Sequence, residues 1–159
     1  MTESKYSISV KKFIASGLGI GLIWEKYMPN YKGGGTVASA LFALLIYSLN
    51  LEILSIALLT GLLYLIYFYV VSDEDASGDP SWITLDEIIG MGIAGMSSAS
   101  NLIPLLVSFI VFRISDILKE PKLVKEMEKI PGKKGVLYDD VAAGVIGLIA
   151  GTIVGQFVT

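Results

Sequence analysis

Val141 to Val158 runs for eighteen residues without a charged side chain, and any fold of this chain has to accommodate that stretch first. Two more apolar stretches, Val37 to Leu49 and Ile53 to Val71, are separated only by Asn50–Glu52. A helix needs about 20 residues to cross the hydrocarbon core of a bilayer, and each stretch approaches that length, the first if it begins at Gly35. The mean hydropathy is +0.69. Charged residues make up 17% of the chain, against roughly 25% in soluble proteins. Both values point to lipid as the solvent. A fourth apolar region, Ile88 to Phe112, is interrupted by Ser97, Ser98, Ser100, Asn101 and Pro104. It reads as two helical pieces meeting at a polar turn, one entering the membrane and one returning.

The basic residues sharpen this reading. If Val37–Leu49, Ile53–Val71, Ile88–Met96, Leu102–Phe112 and Val141–Val158 alternate in direction, all 12 Lys and Arg fall on the side of the N-terminus. The other side holds only the Asn50–Glu52 turn, the Ser97–Asn101 turn and the C-terminus. That asymmetry assigns the basic side to the cytoplasm. A single kinked span over 88–112 would move Arg113 to Lys134 to the opposite face and destroy it. The expected fold is therefore an all-α integral membrane protein. It is a small helical bundle with about four membrane passes, one of them a broken or re-entrant helix pair. Residues 1–159 form a single domain at this length. Within it, 1–36 is an N-terminal interfacial segment with a Gly-rich loop, and 114–138 a cytoplasmic loop. No small-x-small cleavage site follows Phe13–Trp24, so a secretory signal is not expected. Gly17, Gly19 and Gly21 make that segment a poor autonomous helix.

Tyr64, Tyr67, Phe68 and Tyr69, with Trp82 beyond them, fit an interfacial aromatic belt. Gly147, Gly151 and Gly155 recur every fourth residue, the spacing that lets two backbones approach closely. Packing within the chain is the default reading of that stripe, and a homodimer is the alternative.

The chain has no cysteine and no histidine. Thiolate nucleophiles, Ser-His-Asp catalysis, imidazole metal ligands and phosphohistidine intermediates are excluded. A net charge of -3 makes nucleic acid an improbable partner. What remains is chemistry on carboxylates, Lys, Arg and hydroxyls, or on a metal held by oxygen.

The acidic residues stand mostly at helix ends on the basic side. Asp86-Glu87 precede Ile88-Ile89-Gly90-Met91, and Asp139-Asp140 precede Val141-Ala142-Ala143-Gly144. Either pair alone reads as a helix cap complementing the dipole. Two pairs on one face, with Asp79 between spans and Arg113 and Asp116 beside them, would repel unless a divalent cation neutralised them. Oxygen-only donors select Mg2+, Mn2+ or Ca2+. Arg113 and Lys119 would face one phosphate. Asp73-Glu74-Asp75 resembles a phosphatase aspartate pair or the opening of an EF-hand loop. The first would need a preceding buried strand, and the second lacks its Glu, so the segment is expected to be a solvated loop.

At these residues the chain resembles the phosphatidylglycerophosphatase A family of small integral-membrane, Mg2+-dependent lipid phosphatases. Gly17-Leu18-Gly19-Ile20-Gly21 and Gly34-Gly35-Thr36 resemble its GxGxG and PGT segments. Asp79 followed by Asp86-Glu87-Ile88-Ile89-Gly90-Met91 resembles D…DExxGM. Phe112-Arg113-Ile114-Ser115-Asp116-Ile117-Leu118-Lys119 resembles FRxxDxxK, and Gly135 to Gly144 resembles GxxxDDxxAG. The chain departs from the pattern where Lys119-Glu120-Pro121-Lys122 replaces Lys-Pro-Trp-Pro, and where Gly34 replaces the proline of PGT. These departures lie in loops, so an ether-lipid relative of the family's substrate is admitted.

The resemblance implies hydrolysis of the terminal phosphomonoester of phosphatidylglycerol phosphate, or an ether-lipid equivalent, at the cytoplasmic face of the cell membrane. It implies a multi-pass enzyme with Mg2+ held by Asp86, Glu87, Asp139 and Asp140, and Asp79 nearby. Asp116 stands beside that set, and Arg113 and Lys119 stabilise the phosphoryl group. Thr36, Lys133 and Lys134 are candidate substrate contacts, the two lysines for a second phosphate or as anchors at anionic lipid. The segment Ile117–Ile130 would be an interfacial amphipathic helix broken at Pro121. The rival class is a small transporter or channel subunit in which the acidic cluster is an ion site. Against it, the carboxylates lie at one face and not at mid-depth.

Overall fold

The longest helix determines how the others are arranged. A computed structural model describes residues 9–97 and 101–158. In it, α8 (Lys133–Gly155) packs against α5 (Leu85–Gly95), α6 (Leu102–Leu118) and α7 (Lys122–Glu128). α3 (Gly34–Ser48) and α4 (Ile53–Val70) close on α5 from its other sides. Two short helices, α1 (Val10–Ala15) and α2 (Ile20–Tyr27), precede them. No strand occurs among the described residues.

Contacts along the helices fix their directions. Gly35 at the start of α3 faces Glu87 at the start of α5, and Ile46 near the end of α3 faces Gly95 at the end of α5. Gly90 faces Phe112 and Gly95 faces Leu105, so α6 runs opposite to α5. α3, α5 and α8 therefore begin at the end of the bundle where α4 and α6 finish.

α4 and α8, at 18 and 23 residues, are long and apolar enough to cross a membrane. Their outer faces suit lipid. Leu54, Leu58, Leu62, Leu65 and Tyr69 of α4 are exposed at helical spacing, while Ile56, Thr60, Tyr67 and Val70 turn inward. α3, α6 and α8 show similar outward aliphatic faces, including Leu41, Leu45, Ile103, Ile110, Ile149 and Ile153. Apolar surface of this extent is not left facing water by monomeric soluble proteins.

The break in the fourth apolar region is observed. α5 ends at Gly95, and Asn101 caps α6 by accepting from Ile103 N at 3.1 Å. Ser98 and Ser100 of the expected polar turn lie outside the described residues, as do Glu3 and Lys5.

Three expectations are corrected. The last helix begins at Lys133, two turns before Val141, so residues 114–138 are not one loop. α6 continues to Leu118, and α7 sits between short connections at 119–121 and 129–132. The cause is tertiary: Lys133 N donates to Asp73 Oδ1 at 2.9 Å, and Lys133 Nζ donates to the carbonyls of Phe68 and Val71 at 2.9 and 2.8 Å. The start of α8 and the end of α4 cap one another. Asp73 is thus a helix cap, although the Ser72–Asp75 turn beside it is exposed.

The N-terminal segment is helical. α1 and α2 join through Gly17, Leu18 and Gly19, all at positive φ, and Thr84 N bonds Ala15 O at 3.1 Å. This hairpin braces the chain just before α5. Of the expected aromatic belt, Tyr69 is exposed, Tyr64 and Phe68 are half-buried, and Tyr67 and Trp82 turn inward. Tyr67 is fully buried and donates to Lys133 O at 2.9 Å, and Trp82 is buried with Lys12 Nζ 4.7 Å from its ring. The glycine stripe faces inward: a Cβ at Gly147 would meet Ser108 and Phe112 of α6, and one at Gly151 would meet Ser108. α6 of the same chain covers it.

Candidate active site

The site forms where α5 and α8 cross. A Cβ at Gly144 would collide with the carbonyl of Gly90, and one at Gly90 would come within 2.8 Å of the carbonyl of Asp140. Asp86 and Asp140 stand one helical turn before those two glycines, so the close crossing brings α5 and α8 carboxylates together. One carboxylate oxygen from each of Asp86, Glu87 and Asp140 lies within 4.8 Å of the others. Asp86 Oδ1, Glu87 Oε2 and Asp140 Oδ1 are buried without a hydrogen-bond partner among the described residues.

The cap reading fails for Asp139-Asp140 and holds by position for Asp86-Glu87. Asp140 lies seven residues into α8, well past its first turn. Asp86 and Glu87 do sit in the first turn of α5, but its N-cap, Thr84, makes no side-chain cap bond. Gly35 is required beside them, because any side chain there would run into the Glu87 carboxylate.

Opposite the carboxylates, the end of α6 carries a ladder of charged groups. Arg113 Nη2 donates to Thr36 Oγ1 of α3 at 3.1 Å, and Arg113 Nη1 meets Asp116 Oδ2 at 2.9 Å. Lys119 Nζ binds Asp116 Oδ1 at 3.0 Å and also pairs with Asp139 Oδ2. Asp139 Oδ1 accepts from Asp140 N at 2.9 Å. Lys119 takes up the left-handed conformation that ends α6, which turns its side chain back over the helix. Burial alone would lower its pKa. Asp116 and Asp139 outweigh burial and hold the ammonium above its ordinary value.

Both groups face one cavity of about 350 Å³, lined also by Gly33, Gly34 and Gly35 at the start of α3. Seven acidic residues, Asp86, Glu87, Asp116, Asp139 and Asp140 with Asp79 and Glu128, line it against three basic ones, Arg113, Lys119 and Lys32. Three of these carboxylates converge, each with one orphaned oxygen, and oxygen donors of this kind could hold a hard divalent cation. The N-termini of α3 and α5 also open here, and α3 has no side-chain cap. Uncapped N–H groups and a positive dipole end favour a phosphate.

The sequence-predicted residues divide into two groups. Asp86, Glu87, Arg113, Asp116, Lys119, Asp139 and Asp140 line the cavity, and Thr36 holds Arg113 from its edge. Asp139 is engaged by Lys119 and lies outside the three-carboxylate cluster. Asp79 lines the rim, largely exposed, with Lys32 Nζ at 3.5 Å. Lys133 is occupied in capping α4, and Lys134 is exposed outside the cavity. Sequence reasoning missed Lys32 and Glu128 in the lining. Glu128 arrives because α7 folds back and buries Val124 completely, and no local spacing announces that.

A family model described as phosphatidylglycerophosphatase A matches residues 13–155. A protein of Bacteroides thetaiotaomicron provisionally named a phosphatidylinositol-3-phosphatase is 39% identical over 74 residues. That alignment covers 45% of this chain and 46% of the relative, so the chain spans about half the length of the curated relative it matches. No solved structure matches.

Proposed function

The chain belongs to the phosphatidylglycerophosphatase A family, and from that premise we propose that it hydrolyses the terminal phosphomonoester of phosphatidylglycerol phosphate or an ether-lipid equivalent. The carrying observation is the convergence of three carboxylates, each with an orphaned oxygen, on a cavity that also holds the Arg113–Asp116–Lys119 ladder.

Asp86, Glu87 and Asp140 would hold Mg2+. When bound, the ion supplies charge neutralisation at the phosphate oxygens and orients the attacking water. The chain's own groups do the rest. The N-terminus of α3, at Gly34-Gly35-Thr36, receives phosphate oxygens through backbone N–H groups. Arg113 and Lys119 stabilise the charge spread over the phosphoryl group as the bond breaks. Asp116 holds both cations at once, and Thr36 fixes the second edge of the guanidinium. Water attacks phosphorus, the P–O bond to the glycerol oxygen breaks, and the leaving alcohol gains a proton. With no histidine in the chain, the proton acceptor is a carboxylate.

The same reading places the site at the cytoplasmic face. α4 and α8 then each cross the bilayer, α3, at 15 residues or about 22 Å, crosses together with its flanking segment 49–51, and α5 and α6 together enter and return. α5, at 11 residues or about 16 Å, is too short to cross alone.

The test supplies purified full-length protein with phosphatidylglycerol phosphate, its ether-lipid counterpart, phosphatidate and phosphatidylinositol 3-phosphate, with Mg2+ or with chelator. Release from phosphatidylglycerol phosphate or its ether analogue, lost with chelator and in Asp86→Asn, is expected. Release that survives both sinks the metal–carboxylate site. No release from any lipid sinks the hydrolase and restores the transporter reading. A reporter at the C-terminus should be exposed outside the cell, and a cytoplasmic result breaks the pass count.

A further inference from the structure

A second concavity, about 230 Å³, lies between α3 and α6 on the outer surface of the bundle. It begins one helical turn beyond the Thr36–Arg113 hydrogen bond, at Ala40 on α3 and Phe109 on α6. From there it runs to Tyr47 on one helix and Leu102 on the other. Seven residues along each helix correspond to about 10 Å. The two helices run in opposite directions, so these equal spans face each other. Small side chains at Ala40 and Ala43 open the gap, while Leu44 and Leu106 stand exposed on its lips.

The chemistry of the groove selects its occupant. Apart from the Tyr47 hydroxyl, no side chain in it donates or accepts a hydrogen bond. A peptide strand would leave its backbone N–H and C=O groups unpaired there. A hydrocarbon chain needs no polar partner, and inside a bilayer it is held in such a groove by packing. The groove also lies one helical turn from the polar site: Arg113, which lines the phosphate cavity, is tied to α3 just above the groove's head.

We propose that the α3–α6 groove binds one alkyl chain of the phosphomonoester lipid, so that headgroup and chain are held by the same two helices. This inference rests on the lipid-phosphatase reading. It makes α3 and α6 a specificity element: a substrate must present a phosphomonoester and a chain reaching past Ala43 together.

The test uses a phosphonate analogue of phosphatidylglycerol phosphate with a diazirine on its alkyl chain, in phosphatidylcholine vesicles holding the full-length protein. Phosphatidylcholine with the same diazirine chain is the control, since any lipid labels an outward face at random. Labelling of Leu44 and Leu106 should be several-fold stronger with the phosphonate lipid. Equal labelling by the two lipids overturns the proposal. Ala43→Phe fills the gap, and Ala43→Val is the milder variant should the first fail to fold. Either should abolish the headgroup-dependent excess, whereas Leu58→Phe on the outward face of α4 should leave it intact. Ala43→Phe should also raise KM for the long-chain substrate severalfold relative to the dihexanoyl one, through lost packing in the groove. An unchanged ratio counts against the groove. Headgroup-dependent labelling without phosphate release keeps the groove and removes the hydrolase. Phosphate release with equal labelling keeps the hydrolase and removes the groove.

Discussion

Gly144 lies with its α-carbon against the backbone carbonyl of Gly90, so closely that a methyl added at 144 would overlap that oxygen. The separation of α5 and α8 at this point sets how near Asp140 comes to Asp86 and Glu87, one turn away. Gly144→Ala is therefore expected to lower stability by about 1–3 kcal/mol through overpacking against backbone, which cannot rotate aside. Phosphate release should fall further than stability alone explains. Gly61→Ala meets nothing within 4 Å and should raise stability by up to about 1 kcal/mol through helix propensity. Thermal unfolding of both variants in one detergent checks the pair. Equal effects would mean that the crossing is not tight.

Magnesium should raise the unfolding temperature of the wild-type protein. At a free concentration 100 times the dissociation constant, the stabilisation is about 2.7 kcal/mol. Asp140→Asn should lose this shift and Asp79→Asn should keep it, because Asp79 is exposed at the rim and paired with Lys32. A shift lost in both variants would enlarge the metal site to include Asp79.

Thr36→Val removes the acceptor that orients Arg113, while leaving the guanidinium on Asp116. An unpaired buried donor costs on the order of 1–3 kcal/mol, and at 1.4 kcal/mol per decade kcat should fall about tenfold or more. KM should change little, and Thr36→Ser should restore the rate. A pure KM effect would instead make Thr36 a direct substrate contact.

Lys133→Met should reduce stability without touching turnover. Its ammonium serves the last carbonyls of α4, two hydrogen bonds worth about 1–3 kcal/mol together. Lys119→Met should instead abolish turnover, since that side chain joins Asp116 and Asp139 inside the cavity. A raised KM in Lys133→Met would return Lys133 to the substrate.

Much of the site was legible because its residues sit at helix ends, where charge in an apolar chain stands out. Asp86-Glu87, Asp139-Asp140 and Arg113-x-x-Asp116 were visible as interruptions of hydrophobic runs, and all of them line one cavity. The two-piece reading of 88–112 followed from loop charge, and α5 and α6 are separate helices. What failed had long-range causes. Nothing local marks the start of α8 at Lys133, because the group that caps it, Asp73, is sixty residues away. Lys133 itself resembled a phosphate ligand because its partners are carbonyls of another helix, and backbone carbonyls leave no mark in a sequence. Asp79 carried a family motif yet points to the rim, a matter of loop conformation and not of spacing.

The reciprocal bonds between Lys133 and the end of α4 tie the two longest helices together at the cytoplasmic end of the proposed topology. Asp140 stands seven residues, about 10 Å, along α8 from that tie. A bilayer that thickens or thins acts on helices by tilting them. With one pair of ends clamped, tilt becomes a splaying of the opposite ends, far from the carboxylates. The clamp thus fixes the start of α8, and Asp140 two turns along it, against the end of α4.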